Sequence, residues 1–307
     1  MLAKKEIKAW LQASRLASQL YLLLPLVLGQ FLACSYGQAV FSFTLFSLSL
    51  VYSLSLQLFI VYANDLADYE TDKLNENSTI FSGGSRVLVD KLLKPRDLEF
   101  SACLSLAMVF ACSLFFSYHQ GSLVLLLLAL SGPVLLWMYS YEPFKLSYRG
   151  GGELLQALGL ALVLPFLGFF IQGGQQSLSL FPLFFALFFT QVACAMSTTI
   201  PDVTSDSFSH KITFPLFLGP YKSCSLIFLL HTISYGIIFY FLQQGYYFQA
   251  KSVLAIFCFQ LPLTFLLLYS FYRRRVSLFV FFSLSLTLSL FLFLIYLSVN
   301  EVFLLSS

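Results

Sequence analysis

The chain has 307 residues, of which 10 % are charged against ~25 % in soluble domains; 59 % are apolar, 18 % aromatic, and the mean hydropathy is +0.84. That is more apolar surface than one water-facing core of this length hides, which excludes an ordinary soluble domain and leaves a polytopic helical membrane protein. A net charge of +3 on scattered basic residues argues against a nucleic-acid partner, and six cysteines without a CxxC pair argue against a disulfide framework or zinc site.

A bilayer core of ~30 Å needs ~20 apolar residues per helix. Runs of that size recur nine times, near 16–36, 39–62, 98–118, 121–140, 153–172, 178–200, 223–244, 251–271 and 276–299. The first follows a basic amphipathic segment (Lys4, Lys5, Lys8, Arg15), is long and lacks a small-x-small cleavage site, so it reads as a retained helix. With no transit-like extension before it, a bacterial inner membrane is the expected location. A cytoplasmic N-terminus puts the loops after runs 2, 4, 6 and 8 on the same side. That side then carries 16 of the 17 Lys/Arg, all but Lys251, and 13 of the 14 acids, all but Glu301. Function is therefore expected on the cytoplasmic face. His231 reads as a packing residue, His119 as a surface one, and Arg273-Arg274-Arg275 as an orientation signal.

The loop after run 2 begins VYANDLADYETD. Asn64, Asp68 and Asp72 are spaced by four and Asp65 lies three before Asp68, so a continued helix puts them on one face. Crowded carboxylates beside a membrane call for a cation; the bland alternative is a solvated helix end. The loop after run 6, STTIPDVTSDSFSHKITFPLFLG, repeats the spacing with Asp202 and Asp206, four runs later and from the same side, as a parallel duplication of a four-helix unit gives. Hard oxygen ligands without His or Cys suit Mg2+, and two facing clusters predict a metal-bound diphosphate between them. Basic partners lie in SGGSRVLVDKLLKPRDL, where Gly83-Gly84 precedes a short amphipathic stretch. This is expected to be a lid with its apolar side on the bilayer interface and Arg86 or Lys91 reaching the phosphates; for each cation the alternative is a lipid headgroup.

The loop after run 4, MYSYEPFKLSYRGGGELLQ, places Tyr141 and Lys145 within one turn if it is helical, against which Pro143 argues. Tyrosine rings here stabilise a cation by their π faces, or, for Tyr139 and Tyr148 equally, form part of the interfacial aromatic belt. The expected fold is all-α: one membrane domain over residues 1–307, two parallel four-helix repeats plus a ninth helix, and cytoplasmic cap loops near 63–97, 139–152 and 201–222.

These residues resemble the UbiA superfamily of intramembrane aromatic prenyltransferases through nearly the whole chain. Asn64, Asp65, Asp68 and Asp72 match its NDxxDxxxD, Asp202 and Asp206 its DxxxD, and Tyr141 and Lys145 its YxxxK. The resemblance implies that Asp65, Asp68, Asp72, Asp202 and Asp206 hold Mg2+ on a polyprenyl diphosphate. It further implies that Asn64, Arg86, Lys91, Lys145 and Lys211 bind the diphosphate, and that Asp68, Asp202, Lys145 and Tyr141 serve catalysis. WLQASR, SGGSRVLVDKLLKP, YRGGGELLQALG and PDVTSDSFSHKITFPLFLG look most like the 1,4-dihydroxy-2-naphthoate polyprenyltransferases of menaquinone synthesis. Lys211 and Thr213 stay in register with that branch, whereas Ser207 and His210 stand where it often has Arg and Gly. The neighbouring readings are another acceptor (4-hydroxybenzoate, homogentisate, a tetrapyrrole or a glycerol phosphate) and, from a different class, a transporter. A transporter usually carries ionisable groups near the bilayer midplane, where these runs have no Asp, Glu, Lys or Arg.

Overall fold

The computed structural model describes residues 2–36, 39–73, 84–175, 177–209, 211–243 and 250–306. Among these the architecture is all-helical, as the apolar runs predict. Amphipathic α1 (Leu2–Ser14) meets α2 (Gln19–Ser35) at a bend of 50°, where Arg15 takes left-handed backbone with φ 44°. Then follow α3 (Phe43–Ala67), α4 (Pro95–Gln120), α5 (Leu123–Ser140), α6 (Gly152–Ile171), α7 (Phe181–Thr199), α8 (Pro220–Gln243), α9 (Ala250–Tyr272) and α10 (Val276–Ser306). Helix ends carry local signals. Ser42 and Ser122 cap α3 and α5 through the N–H groups of Leu45 and Leu125, Pro95 opens α4, and Gly121 closes it with φ 61°.

All nine apolar runs lie in helices. Seven helices are long and apolar enough to cross a bilayer, eight if the bent α1–α2 pair forms one span, and α9 offers the shorter apolar stretch Cys258–Tyr272 among the described residues. The count of nine full spans is thus not reached among the described residues, because the bend at Arg15 leaves α2 only 17 residues and the apolar stretch of α9 is shorter than a span.

The same helix pairs pack in both halves: α3 lies along α4 and α7 along α8, as a duplicated unit predicts. The halves meet where α2 crosses α6. A Cβ on Gly29 would stand 1.9 Å from the Pro165 carbonyl oxygen, and one on Gly168 would stand 2.0 Å from that of Leu26. The two glycines therefore serve close backbone packing, not a groove. Gly29→Ala and Gly168→Ala should each lower stability by ~1–3 kcal/mol, since backbone must shift to admit the methyl. Melting temperatures in detergent unchanged from wild type would contradict this contact. α10 closes the bundle against α2, α7 and α9, burying Leu290, Phe291 and Leu294 with Leu28, Leu32 and Phe184.

The expected lid differs from its sequence reading. After Gly84 the chain makes turns, not an amphipathic helix, with φ 60° at Arg86 and 54° at Lys91; Gly83 lies outside the described residues. Val87, Leu88 and Leu93 are buried among Ala9 and Ala13 of α1, Val61 and Tyr62 of α3, and Leu98 and Ala102 of α4. Because α1 brings a second apolar surface to this loop, protein covers its apolar side instead of the bilayer interface.

Candidate active site at one rim of the bundle

α3 leaves helical geometry at Asp68 (φ −92°, ψ 3°), yet the one-turn hydrogen bonds continue. The Asp68 N–H donates to the Asn64 carbonyl at 2.9 Å and the Asp72 N–H to the Asp68 carbonyl at 2.8 Å. The predicted Asn64–Asp68–Asp72 stripe therefore survives the end of the helix.

Each acid of this motif has a different environment. Asp65, 4 % exposed, accepts from the Arg15 guanidinium, the Ser85 hydroxyl and, at 3.3 Å, the Ser85 N–H. Gln12 donates to the Ser85 carbonyl at 2.8 Å, so α1 braces the same loop. Asp68 accepts from the Tyr148 hydroxyl at 2.8 Å and from Lys211 Nζ at 3.3 Å. Asn64 Nδ2 adds a longer contact to Asp68 at 3.4 Å, and Ser140 donates to Asn64 Oδ1 at 3.0 Å. Asp72 sits against Gly84, where a Cβ would fall 2.1 Å from its Oδ2.

The second motif is built on a short 3-10 turn, Ile200–Asp202, followed by the helix Val203–Phe208. Asp202 is half-buried at the start of that helix; Asp206 is buried and accepts from Thr213 Oγ1 at 3.5 Å. The loop then turns back. The Lys211 N–H donates to the Asp206 carbonyl at 3.0 Å, the Ile212 N–H to the Tyr148 carbonyl at 3.0 Å, and the Phe214 N–H to buried Glu153 at 2.8 Å. Lys211 is thereby held between the motifs. Burial works against its charge, but Asp68, Tyr139, Asp206 and Asp72 hold its ammonium above the ordinary lysine value.

Tyr141 and Lys145 do not lie on a helix, the alternative that Pro143 favours. The Glu142–Pro143 peptide is cis and Lys145 has φ 45°, although the Lys145 N–H still reaches the Tyr141 carbonyl at 2.8 Å. The Tyr141 hydroxyl donates to the Ala63 carbonyl at 2.7 Å, bracing α3 next to Asn64. Lys145 Nζ lies over the Tyr148 ring at 4.0 Å from its centroid, and Lys211 Nζ at 4.9 Å. Tyr148 is thus a cation-binding ring as well as a donor to Asp68, which favours the first of its two sequence readings. Arg86 pairs with Asp90 at 3.6 Å, and Lys91 is exposed on the following turn. His210 lies outside the described residues.

Arg15 and Ser85 enter the site without having been singled out as site residues, and Tyr148 and Thr213, which the sequence marks only as a candidate ring and a branch-like position, enter it as donors to Asp68 and Asp206. Arg15 was hidden in a basic segment that reads as topology. The signal that distinguishes it is its place, at the boundary of the first apolar run, opposite the acids of the second.

Among the described residues Asp65 pairs with Arg15 and Asp68 with Lys211. Burial and then neighbouring Asp68 push the Asp72 carboxyl up to about 7, against the pull of Lys211. Burial likewise pushes Asp206 up to about 6, Lys211 opposing and Asp202 adding to the rise. Carboxylates raised by burial and by one another mark a site short of positive charge, and an all-oxygen donor set suits a hard divalent cation. Among the described residues no three acids are grouped as a ready-made cage, because Asp65 and Asp68 face protein donors.

No curated protein matches the chain. Several solved structures share its fold. A UbiA homologue from Archaeoglobus fulgidus bound to GPP and Mg2+ superposes with TM-score 0.67 at 18 % identity, over 96 % of this chain and 99 % of its own. A UbiA homologue from Aeropyrum pernix K1 gives 0.71 at 16 % identity over 92 % and 97 %. A digeranylgeranylglyceryl phosphate synthase gives 0.66 at 15 % over 96 % and 99 %. The UbiA prenyltransferase family matches residues 22–286, a stretch that contains both acidic motifs, Lys145 and Lys211, and the chain belongs to that family of integral membrane enzymes.

Proposed function

We propose that the chain is one integral membrane domain that transfers a polyprenyl group from a polyprenyl diphosphate to an aromatic acceptor, 1,4-dihydroxy-2-naphthoate, with Mg2+ as cofactor and the site facing the cytoplasm of a bacterial inner membrane. One observation carries this reading: two acidic motifs from distant parts of the chain meet on Lys211 at one rim, Asp68 at its ammonium and the Asp206 carbonyl at its backbone N–H. Mg2+ and GPP in the A. fulgidus relative of the same fold support it.

Asp65, Asp68, Asp72, Asp202 and Asp206 would hold Mg2+, which when bound neutralises charge building on the leaving diphosphate. Lys211 and Lys145 bind diphosphate oxygens, with Asn64, Arg86 and Lys91 along the rim. Arg15 and Ser85 fix the orientation of Asp65, and Tyr148 that of Asp68. The allylic C–O bond breaks with both electrons passing to diphosphate oxygen. The allyl cation is stabilised by aromatic faces, for which Tyr148 is the ring already facing two ammonium groups. The electron-rich acceptor ring attacks that cation. With dihydroxynaphthoate the attacked carbon bears the carboxylate, so CO2 leaves and the ring regains aromaticity.

The acceptor assignment rests on the likeness of four segments to the dihydroxynaphthoate branch, and each of the four brings residues to the site. WLQASR supplies Arg15, SGGSR supplies Ser85, YRGGGE supplies Tyr148 and Glu153, and PDVTSD…HKIT supplies Asp202, Asp206, Lys211 and Thr213. Incubating membranes with labelled polyprenyl diphosphate and each acceptor in turn should give a prenylated naphthoquinol with CO2 release. Transfer to 4-hydroxybenzoate, homogentisate, a tetrapyrrole or a glycerol phosphate instead would reassign the acceptor and leave the transferase reading standing. Solute movement in proteoliposomes without prenyl donor would favour the transporter.

The raised Asp72 and Asp206 values give a pH prediction. Both carboxyls hold protons more tightly folded than at the ordinary 3.8, so the ligand-free protein should lose stability as pH rises from 3.8 towards 7. A divalent cation displaces those protons, so Mg2+ affinity should climb between about pH 5 and pH 7 and then level off. Calorimetric titration in buffers of different ionisation heat checks this: binding at pH 6 should release protons, and pH-independent binding without proton release would contradict it.

A further inference from the structure

Away from the aspartates, the same rim carries an arginine run that the reaction does not use. Arg273, Arg274 and Arg275 link α9 to α10, are exposed, and form no ion pair with a carboxylate among the described residues. Arg274 has φ 54°, and the Arg274 and Arg275 N–H groups donate to the Phe271 and Ser270 carbonyls at 3.0 Å, so the link is a tight turn carrying three consecutive arginines. Lys222, at the start of α8, is exposed on the same rim.

Directly beneath this turn is an apolar crevice of about 130 Å³, lined by Cys224, Ser225 and Phe228 of α8, Leu267, Leu268 and Phe271 of α9, and Phe279 of α10. Phe271 stands two residues before the arginine run and Phe279 four after it, so the turn forms the mouth of the crevice. α8 packs far less closely on α9 than α7 does on α8, which is why the gap exists. Tyr221, Tyr269 and Tyr272 are exposed around the mouth, the ring of Tyr221 lies against Phe271, and the Arg273 guanidinium sits over the Tyr269 ring. Exposed tyrosines beside arginines place the mouth at headgroup level and the crevice just inside the hydrocarbon. An apolar crevice of this volume takes a guest of about benzene's size, here a segment of one hydrocarbon chain.

We infer that this crevice binds one anionic phospholipid of the surrounding bilayer, a chain segment lying between Phe228, Leu268 and Phe279 and the phosphate resting on the Arg273–Arg275 turn. Charge selects the occupant: three guanidinium groups without a carboxylate partner among the described residues, on the turn next to an apolar slot, favour a net-negative headgroup over a zwitterionic one with the same chains.

Native mass spectrometry of the full-length protein in neutral detergent, titrated with phosphatidylglycerol and with phosphatidylcholine of identical chains, tests the proposal. One phosphatidylglycerol should be retained in preference to phosphatidylcholine. Stepwise Arg273→Gln, Arg274→Gln and Arg275→Gln should weaken its retention about fivefold each while leaving phosphatidylcholine unchanged. Leu268→Trp, which fills the slot, should weaken both lipids. Raising salt on the wild-type protein gives a check free of any folding defect and should release phosphatidylglycerol selectively. Equal retention of the two lipids, indifference to salt, or one-for-one displacement of phosphatidylglycerol by geranyl diphosphate would overturn it; the last would make the slot part of the donor path.

Discussion

Asp68→Asn should lower prenyl transfer by about 10²–10³-fold at saturating Mg2+, with the protein still membrane-inserted and monodisperse. The substitution keeps the shape of the side chain and removes its charge. Asp68 accepts from both the Tyr148 hydroxyl and Lys211 Nζ, so an amide there sets one donor against another and loses the charge that holds the ammonium. Asp202→Asn should act alike, since Asp202 is the second motif's entry to the same cluster. The measurement is a single-turnover rate with labelled polyprenyl diphosphate, alongside a melting curve. Full activity in either variant would remove that aspartate from the site.

Lys211→Gln carries the second largest expected effect, and it separates electrostatics from folding. Lys211 is the cation shared by both motifs and its side chain is 17 % exposed. Removing one partner of such a buried pair strands the other, at a cost of about 3–5 kcal/mol for full burial and less here. Without Mg2+ the variant should therefore melt well below wild type near neutral pH. Added Mg2+ should recover more stability in the variant than in wild type, because the aspartates then have no competing ammonium. Transfer should remain depressed even when the fold is restored, since a diphosphate contact is gone. A variant equal to wild type in both metal-free stability and rate would show that Lys211 does not join the motifs.

What the sequence made legible follows from what is local. Helices came from apolar runs, because in a bilayer every backbone group must be bonded within its own segment. The acidic stripes came from a spacing of four, and the hydrogen bonds from Asp68 to Asn64 and from Asp72 to Asp68 preserve that spacing beyond the helix end. What was not legible depends on long-range packing. The sequence offers Tyr148 as a cation-stabilising ring or a belt residue but does not show that its hydroxyl donates to Asp68, a contact made across 80 residues in a loop with left-handed backbone at Lys145, Gly150 and Gly151. Arg15 carries the same charge as Lys4, Lys5 and Lys8, and it reaches Asp65 from the bend after α1. The loop after Gly84 reads as amphipathic because the apolar stretches 87–89 and 92–93 are bracketed by Arg86, Asp90, Lys91 and Lys94, but the sequence alone does not say whether lipid or α1 covers them.

The central claim is that both acidic motifs close on one diphosphate through shared divalent ions. Anomalous diffraction from crystals grown with Mn2+ and a non-hydrolysable prenyl thiodiphosphate tests it most directly. The account predicts manganese peaks bridging a single diphosphate, with Asp68 or Asp72 on one side and Asp202 or Asp206 on the other. Manganese confined to one motif, with the diphosphate out of reach of the other, would contradict it.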